Sequence, residues 1–334
     1  MKALVLSELK TPLELQTRPD LSTEAIGAKD VVVRLRAAAL NRRDYWITQG
    51  KYPDITLPIV LGSDGVGIVT ARGSEVENTF GAGEVIINPG WQWGENLQVQ
   101  SNEFQILGLP HDGTLAEEVQ IPAEHLWVKP LHLSSTQAAA LPLAGVTAYR
   151  ALFGRGGLQA GQNILVTGVG GGVATFVVQF AVAAGANVYV TSSSDAKIDS
   201  AIGLGAIAGF NYADPQWHQA FQSRCGLMNV IIDSTGGPGY AKLIELAAPA
   251  GRIVSYGSTA GAPERLDLFQ VFWKQLNLLG STMGSKLDFG AMLDFVNLHQ
   301  IQPVVDSLRP WTECNQALER MKAGHQFGKL VLVM

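Results

Sequence analysis

The pattern of apolar and polar positions changes character part-way along the chain. Up to about residue 125, short apolar or alternating runs at 3–6, 31–37, 66–69, 84–88 and 116–121 are separated by Pro, Gly, Asp and Asn, with little helical periodicity. This predicts an all-β first half. After Lys129 and Pro130 the texture differs: Ser134 opens an alanine-rich helical stretch, and strands and helices then alternate from Asn163 to about Asp267. Such alternation predicts βαβ crossovers and a parallel sheet. Its strands, at 164–167, 188–191, 230–233 and 252–255, are almost wholly apolar, as expected where both faces of a sheet are covered. The apolar run at 173–186 is broken by Thr175, Gln179 and Gly185 and falls short of the roughly 20 residues that span a bilayer, so it reads as a buried helix.

Composition narrows the classes. With 334 residues, and domains of about 150, two domains are expected. Hydrophobic residues at 47% against 16% charged, with a net charge of −5, describe a compact chain and leave no basic surplus for nucleic acid. Cys225 and Cys314 are the two cysteines, which excludes a disulfide framework or a multi-thiolate zinc cluster and points to a reducing, cytoplasmic setting. The apolar run at the start is interrupted by Ser7 and Glu8, too early for a signal-peptide core, and no membrane partner is expected.

The first strand of the alternating half runs into Gly168-Val169-Gly170-Gly171-Gly172-Val173-Ala174, and an apolar helix at 175–184 follows. Glycines let the backbone turn tightly and approach a pyrophosphate, while the N–H groups of the helix start hold its charge. The fingerprint ends at Val173 in one register and at Ala174 in another; the second is preferred, because the last place needs a small residue. A nucleotide-hydrolase loop would require Gly-Lys-Ser/Thr, and no lysine lies between Lys129 and Lys197. No serine-hydrolase elbow is present.

The end of the second strand, Thr191-Ser192-Ser193-Ser194-Asp195-Ala196-Lys197, decides which dinucleotide is expected. An acid here would bond two ribose hydroxyls and repel an extra phosphate. Hydroxyl donors with Lys197 favour NADPH. Asp195 comes late for the ribose acid and is expected to cap the next helix.

Four segments resemble the medium-chain dehydrogenase/reductase superfamily: ALNRRDYWITQGKYP at 39–53, LPIVLGSDG at 57–65, LPLAGVTAY at 141–149 and QFGKLV at 326–331. The likeness covers essentially the whole chain, and its branch looks like the zinc-independent quinone oxidoreductases. It implies an α/β protein: a GroES-like β-barrel catalytic domain at 1–125, completed by 302–334, plus a Rossmann-type doubly wound parallel-sheet domain binding NADPH at 126–301. It also implies that Tyr212 meets the extra phosphate beside Ser192 and Lys197, and that Thr147, Gly280, Ser281 and Thr282 approach the nicotinamide. Strand ends point to Ser234, Thr235 and Gly236 and to Tyr256 and Gly257 as further cofactor contacts, and Lys329 is expected either to reach a phosphate or to stay solvated.

Zinc-dependent relatives carry Cys where this chain has Asn41, His and Glu where it has Ser63 and Asp64, and a further Cys at Ala144. No metal is therefore expected, and histidines 111, 125, 132, 218, 299 and 325 show no ligand spacing. Without a Lewis acid, reduction of an acceptor that is already electron-poor is the chemistry left open. It needs a placed nicotinamide and donors to the developing oxyanion. Asn41 could orient the carbonyl and Tyr52 could give a proton, with Asp44 holding the loop and Tyr45 beside them. The expected activity is a zinc-independent NADPH-dependent reductase of quinones, enones or enals. Rivals are a metal-free NADPH carbonyl or alcohol dehydrogenase and a non-catalytic NADPH-binding structural or redox-sensing protein. A small-molecule carbonyl or quinone is the expected substrate, and the apolar segment at 266–279, with Phe269, Phe272 and Trp273, is expected to pair two subunits in a homodimer.

Overall fold

The computed structural model describes residues 1–21, 26–77 and 80–334. The chain first forms β1 (Lys2–Leu6), β2 (Glu14–Thr17), β3 (Asp30–Ala39), α1 (Arg42–Thr48), β4 (Ile59–Val60), β5 (Asp64–Arg72), β6 (Glu84–Ile87), β7 (Gly90–Trp91), β8 (Gln105–Ile106), β9 (Glu118–Pro122) and β10 (Leu126–Val128). Helices α2 (Ser135–Ala139) and α3 (Pro142–Tyr149) lead to β11 (Asn163–Val166), α4 (Gly172–Ala183), β12 (Asn187–Ser192), α5 (Asp195–Gly203), β13 (Ala208–Asn211), α6 (Trp217–Cys225) and β14 (Met228–Asp233). The chain ends through α7 (Tyr240–Leu246), β15 (Ala247–Ser255), α8 (Leu268–Trp273), β16 (Asn277–Gly280), α9 (Lys286–His299), β17 (Val305–Pro310), α10 (Cys314–Lys322) and β18 (Lys329–Val333).

Two compact units result, one of residues 1–144 with 284–334 and one of 145–283. The first is larger than the expected 1–125 with 302–334, for a packing reason. Helix α2 lies on β3, β5 and β18, and α9 brings Phe289 to 5.9 Å from the ring of Trp127 on β10, so both helices join the β-rich unit.

In the first unit β3 is the spine, antiparallel to β5, β9 and β18. It opens on Val31, Val32 and Val33, all buried, alternates over 33–36 with Val33 and Leu35 buried and Arg34 and Arg36 outward, and closes on Ala37, Ala38 and Ala39, all buried, where β18 pairs with it. Small residues suit a strand covered on both faces. Because β18 comes from the chain end, this pairing brings Lys329 beside the start of α1.

The second unit holds six parallel strands in the order β13-β12-β11-β14-β15-β16. The order runs outward from β11 in both directions, so the crevice lies at the carboxyl ends of β11 and β14, where the winding reverses. Ile164, Leu165 and Val166 and the facing Val230, Ile231 and Ile232 are fully buried, which explains their unbroken apolar runs. The anticipated strands are all present, though β15 begins five residues earlier than 252 and α4 three residues earlier than 175. The apolar segment at 266–279 divides into α8, none of whose residues is buried, and the edge strand β16. Among the described residues no helix is long and apolar enough to cross a membrane.

Candidate functional site

In the second unit the turn after β11 is built from backbone. Gly168 has φ +62° and Gly170 φ +130°, conformations L side chains rarely adopt. A Cβ on Gly170 would stand 2.7 Å from Cδ and 3.1 Å from Nζ of Lys197, so the missing side chain admits that ammonium to the turn. Gly171 is the N-cap of α4 and offers no side chain to its first N–H groups, which remain for an anion. Ala174 is buried while Val173 is half-buried, which favours Ala174 as the small residue that packs helix on strand.

The neighbouring strand ends are tied to this turn. Ser192 Oγ donates to the Val169 carbonyl at 3.2 Å, and the Tyr212 N–H donates to the Ser192 carbonyl at 3.0 Å. Asp195 differs from its expected role: Ser194 occupies the N-cap, Asp195 is the first helical residue of α5, and its carboxylate accepts from the Asn211 amide at 2.9 Å. At the end of β14, Asp233 is 1% exposed and accepts from Thr167 Oγ1 (2.5 Å) and from the N–H groups of Thr235 (3.2 Å) and Gly236 (2.9 Å). It thereby fixes the loop carrying Ser234, Thr235 and Gly236 beside Gly168, whose Cβ would lie 3.2 Å from Thr235 Oγ1. Gly257 approaches the Ser234 carbonyl just as closely, at 3.1 Å from a Cβ. Burial pushes the Tyr256 phenol up to about 12, against a hydrogen bond with Ser234 that lowers it. Ser281 donates its N–H to Ser255 at 2.9 Å, the Gly280 carbonyl accepts from Arg155 at 2.9 Å, Thr282 is exposed, and Thr147 Oγ1 lies 3.8 Å from Met283 Sδ. Asp233 was not singled out from sequence; an acid closing an apolar strand was its signal.

In the first unit Asn41 is the N-cap of α1, and its N–H donates to Asp44 Oδ2 at 2.7 Å, closing the helix start. Asp44 therefore holds the loop. Its carboxyl is pushed up by burial, opposed by Arg43, the Asn41 N–H and Lys329, and its Oδ1 has no partner among the described residues. The Asn41 side chain is engaged at both ends: Nδ2 donates to Asp64 Oδ2 at 2.9 Å, and Oδ1 accepts from Lys329 Nζ at 2.6 Å. Lys329 also lies 2.9 Å from Asp64 Oδ2, and Asp64 Oδ1 accepts the Leu143 N–H at 2.8 Å. Asn41 is 6%, Asp64 0% and Lys329 3% exposed. This corrects the expectation that Lys329 reaches a phosphate: pairing β18 with β3 buries its ammonium against Asp64.

Tyr52 lies under Arg43, whose Cζ is 5.0 Å from the ring centroid and whose Nε is 3.4 Å from the hydroxyl. Arg43 is buried and also donates to Ser63 Oγ (2.8 Å) and the Leu107 carbonyl (2.9 Å). Nothing in the spacing of 39–53 distinguished Arg43 from Arg42. Tyr45 packs on Trp46 with ring centroids 5.3 Å apart and stands apart from the Asn41 side-chain bonds.

A model of the alcohol dehydrogenase GroES-like domain matches residues 27–131, and one of the zinc-binding dehydrogenases matches 172–297. The zinc-type alcohol dehydrogenase-like protein YogA of Leptosphaeria maculans is 35% identical over 96% of this chain and 94% of its own. The chain belongs to the zinc-type alcohol dehydrogenase-like medium-chain dehydrogenase/reductase superfamily. Acryloyl-coenzyme A reductase of Sulfurisphaera tokodaii is 27% identical over 99% of each chain. A crystal structure of an NAD-dependent alcohol dehydrogenase superposes with TM-score 0.93 at 35% identity, covering 100% of both chains. Membership of this superfamily makes the chain an oxidoreductase with a nicotinamide cofactor, a GroES-like domain and a Rossmann-type domain.

The superfamily also implies zinc in some members, and the residues here do not fit it. Of Asn41, Ser63, Asp64 and Ala144, Asp64 alone is a strong ligand, and its carboxylate and the Asn41 oxygen already face an ammonium. Among the described residues no group of three or more His, Cys, Asp or Glu is placed to hold a metal. A nicotinamide dinucleotide does fit, because the glycine turn provides positive-φ backbone, uncapped helix N–H groups and a neighbouring lysine.

Proposed function

We propose that this chain is a zinc-independent, NADPH-dependent reductase of quinones or α,β-unsaturated carbonyls. The observation that carries the reading is the Asn41 amide, an oriented neutral donor where zinc-dependent relatives hold a metal ligand. NADPH is supported by Ser192, Tyr212 and Lys197 around the turn and by the engagement of the Asp195 carboxylate with Asn211. Gly168, Gly170, Gly171, Gly172 and Ala174 would hold the pyrophosphate, and Thr147, Ser281 and Thr282 the nicotinamide end. When bound, the cofactor supplies hydride. Asn41 donates a hydrogen bond to the acceptor carbonyl and stabilises the oxyanion as it develops. Tyr52 accepts from Arg43 and keeps its own O–H to give, so it is the proton donor. The acryloyl-coenzyme A reductase relative supports reduction of a conjugated C=C bond.

The reductase works as a homodimer in the cytoplasm. Two free cysteines fit a reducing compartment. A second copy is the occupant of the α8 and β16 face, where an edge strand adjoins Leu268, Phe269, Phe272 and Trp273, the last 72% exposed. The reading is tested by NADPH oxidation with quinones, enones, enals and aldehydes, products identified, on protein whose mass is measured by sedimentation at micromolar concentration. Saturated carbonyls or hydroquinones from a dimer are expected. Alcohols alone would mean a metal-free carbonyl dehydrogenase, and tight NADPH binding without turnover a non-catalytic role.

A further inference from the structure

We propose that Lys329 is a positioning residue acting through Asn41. Its buried ammonium fixes and polarises the Asn41 amide, so that the amide's remaining N–H is the donor to the acceptor oxygen. The proposal rests on the reductase reading above.

A side-chain amide has two ends that can exchange by a half-turn, and here electrostatics allows one arrangement. Oδ1 meets the Lys329 ammonium at 2.6 Å and Nδ2 meets the Asp64 carboxylate at 2.9 Å. The reversed amide would aim N–H groups at the ammonium and its oxygen at the carboxylate, losing both bonds in a buried setting where unmade bonds are costly. The frame is also held from outside: the Asn41 N–H is fixed by Asp44, and Asp64 Oδ1 by the Leu143 N–H at the start of α3. The second proton on Nδ2 has no partner among the described residues, so it is the donor the cluster leaves available. A cation on the amide oxygen draws electron density through the conjugated O–C–N system, and that N–H becomes a stronger donor to negative charge. Lys329 thus supplies, through one intervening amide, positive charge to the place where an oxyanion would form, with its own charge balanced by Asp64.

The test separates this role from a phosphate contact and from a merely structural one. Lys329→Met alone leaves Asp64 buried and unpaired, so the double variant Lys329→Met with Asp64→Asn, which removes both charges, is measured beside it and beside Lys329→Arg. In the cofactor-free protein, the Asn41 side-chain amide signals, identified by their loss in Asn41→Ala, are expected to shift upfield and exchange faster in the double variant. The dissociation constant for NADPH is expected to stay within about twofold, where a lost phosphate contact would raise it about tenfold or more. Turnover on an accepted enone is expected to fall about a hundredfold, with KM changed less than about threefold, as for loss of an oxyanion donor. Lys329→Arg, which keeps the charge, is expected to recover part of that loss. Unmoved Asn41 signals, unaltered turnover in the folded double variant, or a tenfold loss of NADPH affinity would each overturn the proposal. If the wild type turns over no quinone or enone yet the amide signals move, the reductase reading fails and the positioning of Asn41 stands.

Discussion

Each unit buries a carboxylate at the heart of its candidate site, Asp64 in the first and Asp233 in the second, and the two are satisfied in different ways. Asp64 meets an ammonium, a side-chain amide and a backbone N–H drawn from residues 329, 41 and 143. Asp233 meets a hydroxyl and two backbone N–H groups, from residue 167 just past the adjacent strand and from 235 and 236 in its own loop. The first arrangement concentrates charge at one side chain, Asn41, whereas the second uses a charge only to shape a loop. Chemistry that must stabilise an oxyanion needs the former; holding a dinucleotide needs correctly placed backbone, and the latter suffices.

The contrast is broken or sharpened most strongly by removing each carboxylate. Asp64→Ala leaves a buried ammonium without its counter-charge and is expected to cost about 3–5 kcal/mol. Asp233→Ala leaves neutral donors, two of them half-buried and open to water, and is expected to cost about 1–3 kcal/mol. Urea denaturation of both variants checks this, and equal losses would show that the two carboxylates do the same work.

The next effect is acid sensitivity at a buried histidine of the first unit. His125 is 6% exposed, stacks on Trp91 and has its pKa lowered to about 4 by burial, while in the second unit Tyr189, Tyr240, Tyr256 and Cys225 are shifted upward and Lys274 and Asp267 downward. Above pH 6.5 His125 is neutral folded and unfolded alike. Between pH 6.5 and 4 the unfolded chain binds the extra proton, so stability present at neutral pH is lost on acidification, by at most ~3 kcal/mol. Relative to wild type, His125→Phe is expected to gain about that much between pH 7.5 and 4, measured by denaturation at each pH. A pH-independent difference would remove His125 as the cause.

The smallest effect probes the second unit without touching its buried carboxylate. Ser192→Asp places negative charge beside the glycine turn and Lys197, and is expected to shift the ratio of NADPH to NADH affinity about tenfold or more toward NADH. Unchanged preference, read by fluorescence titration of both cofactors, would show that the extra phosphate lies elsewhere.

The nucleotide half was legible because its determinants are local. The apolar strands, the glycines at 168 and 170 and the hydroxyls at 191–194 lie within short windows, and backbone geometry follows from neighbours a few residues apart. The segment 39–53 likewise displayed Asn41, Asp44 and Tyr52, and the capping of α1 by Asp44 is a three-residue relation. What the sequence by itself determined, then, was the two-part architecture, the parallel sheet and the place of the dinucleotide turn. Only the tertiary structure decided what Asn41 faces. Lys329 read from sequence as a phosphate contact or a solvated lysine until β18 paired with β3 and carried its ammonium across 288 positions to Asn41. A buried charge takes its role from its partner, and no local pattern records a partner that folding alone brings within 3 Å.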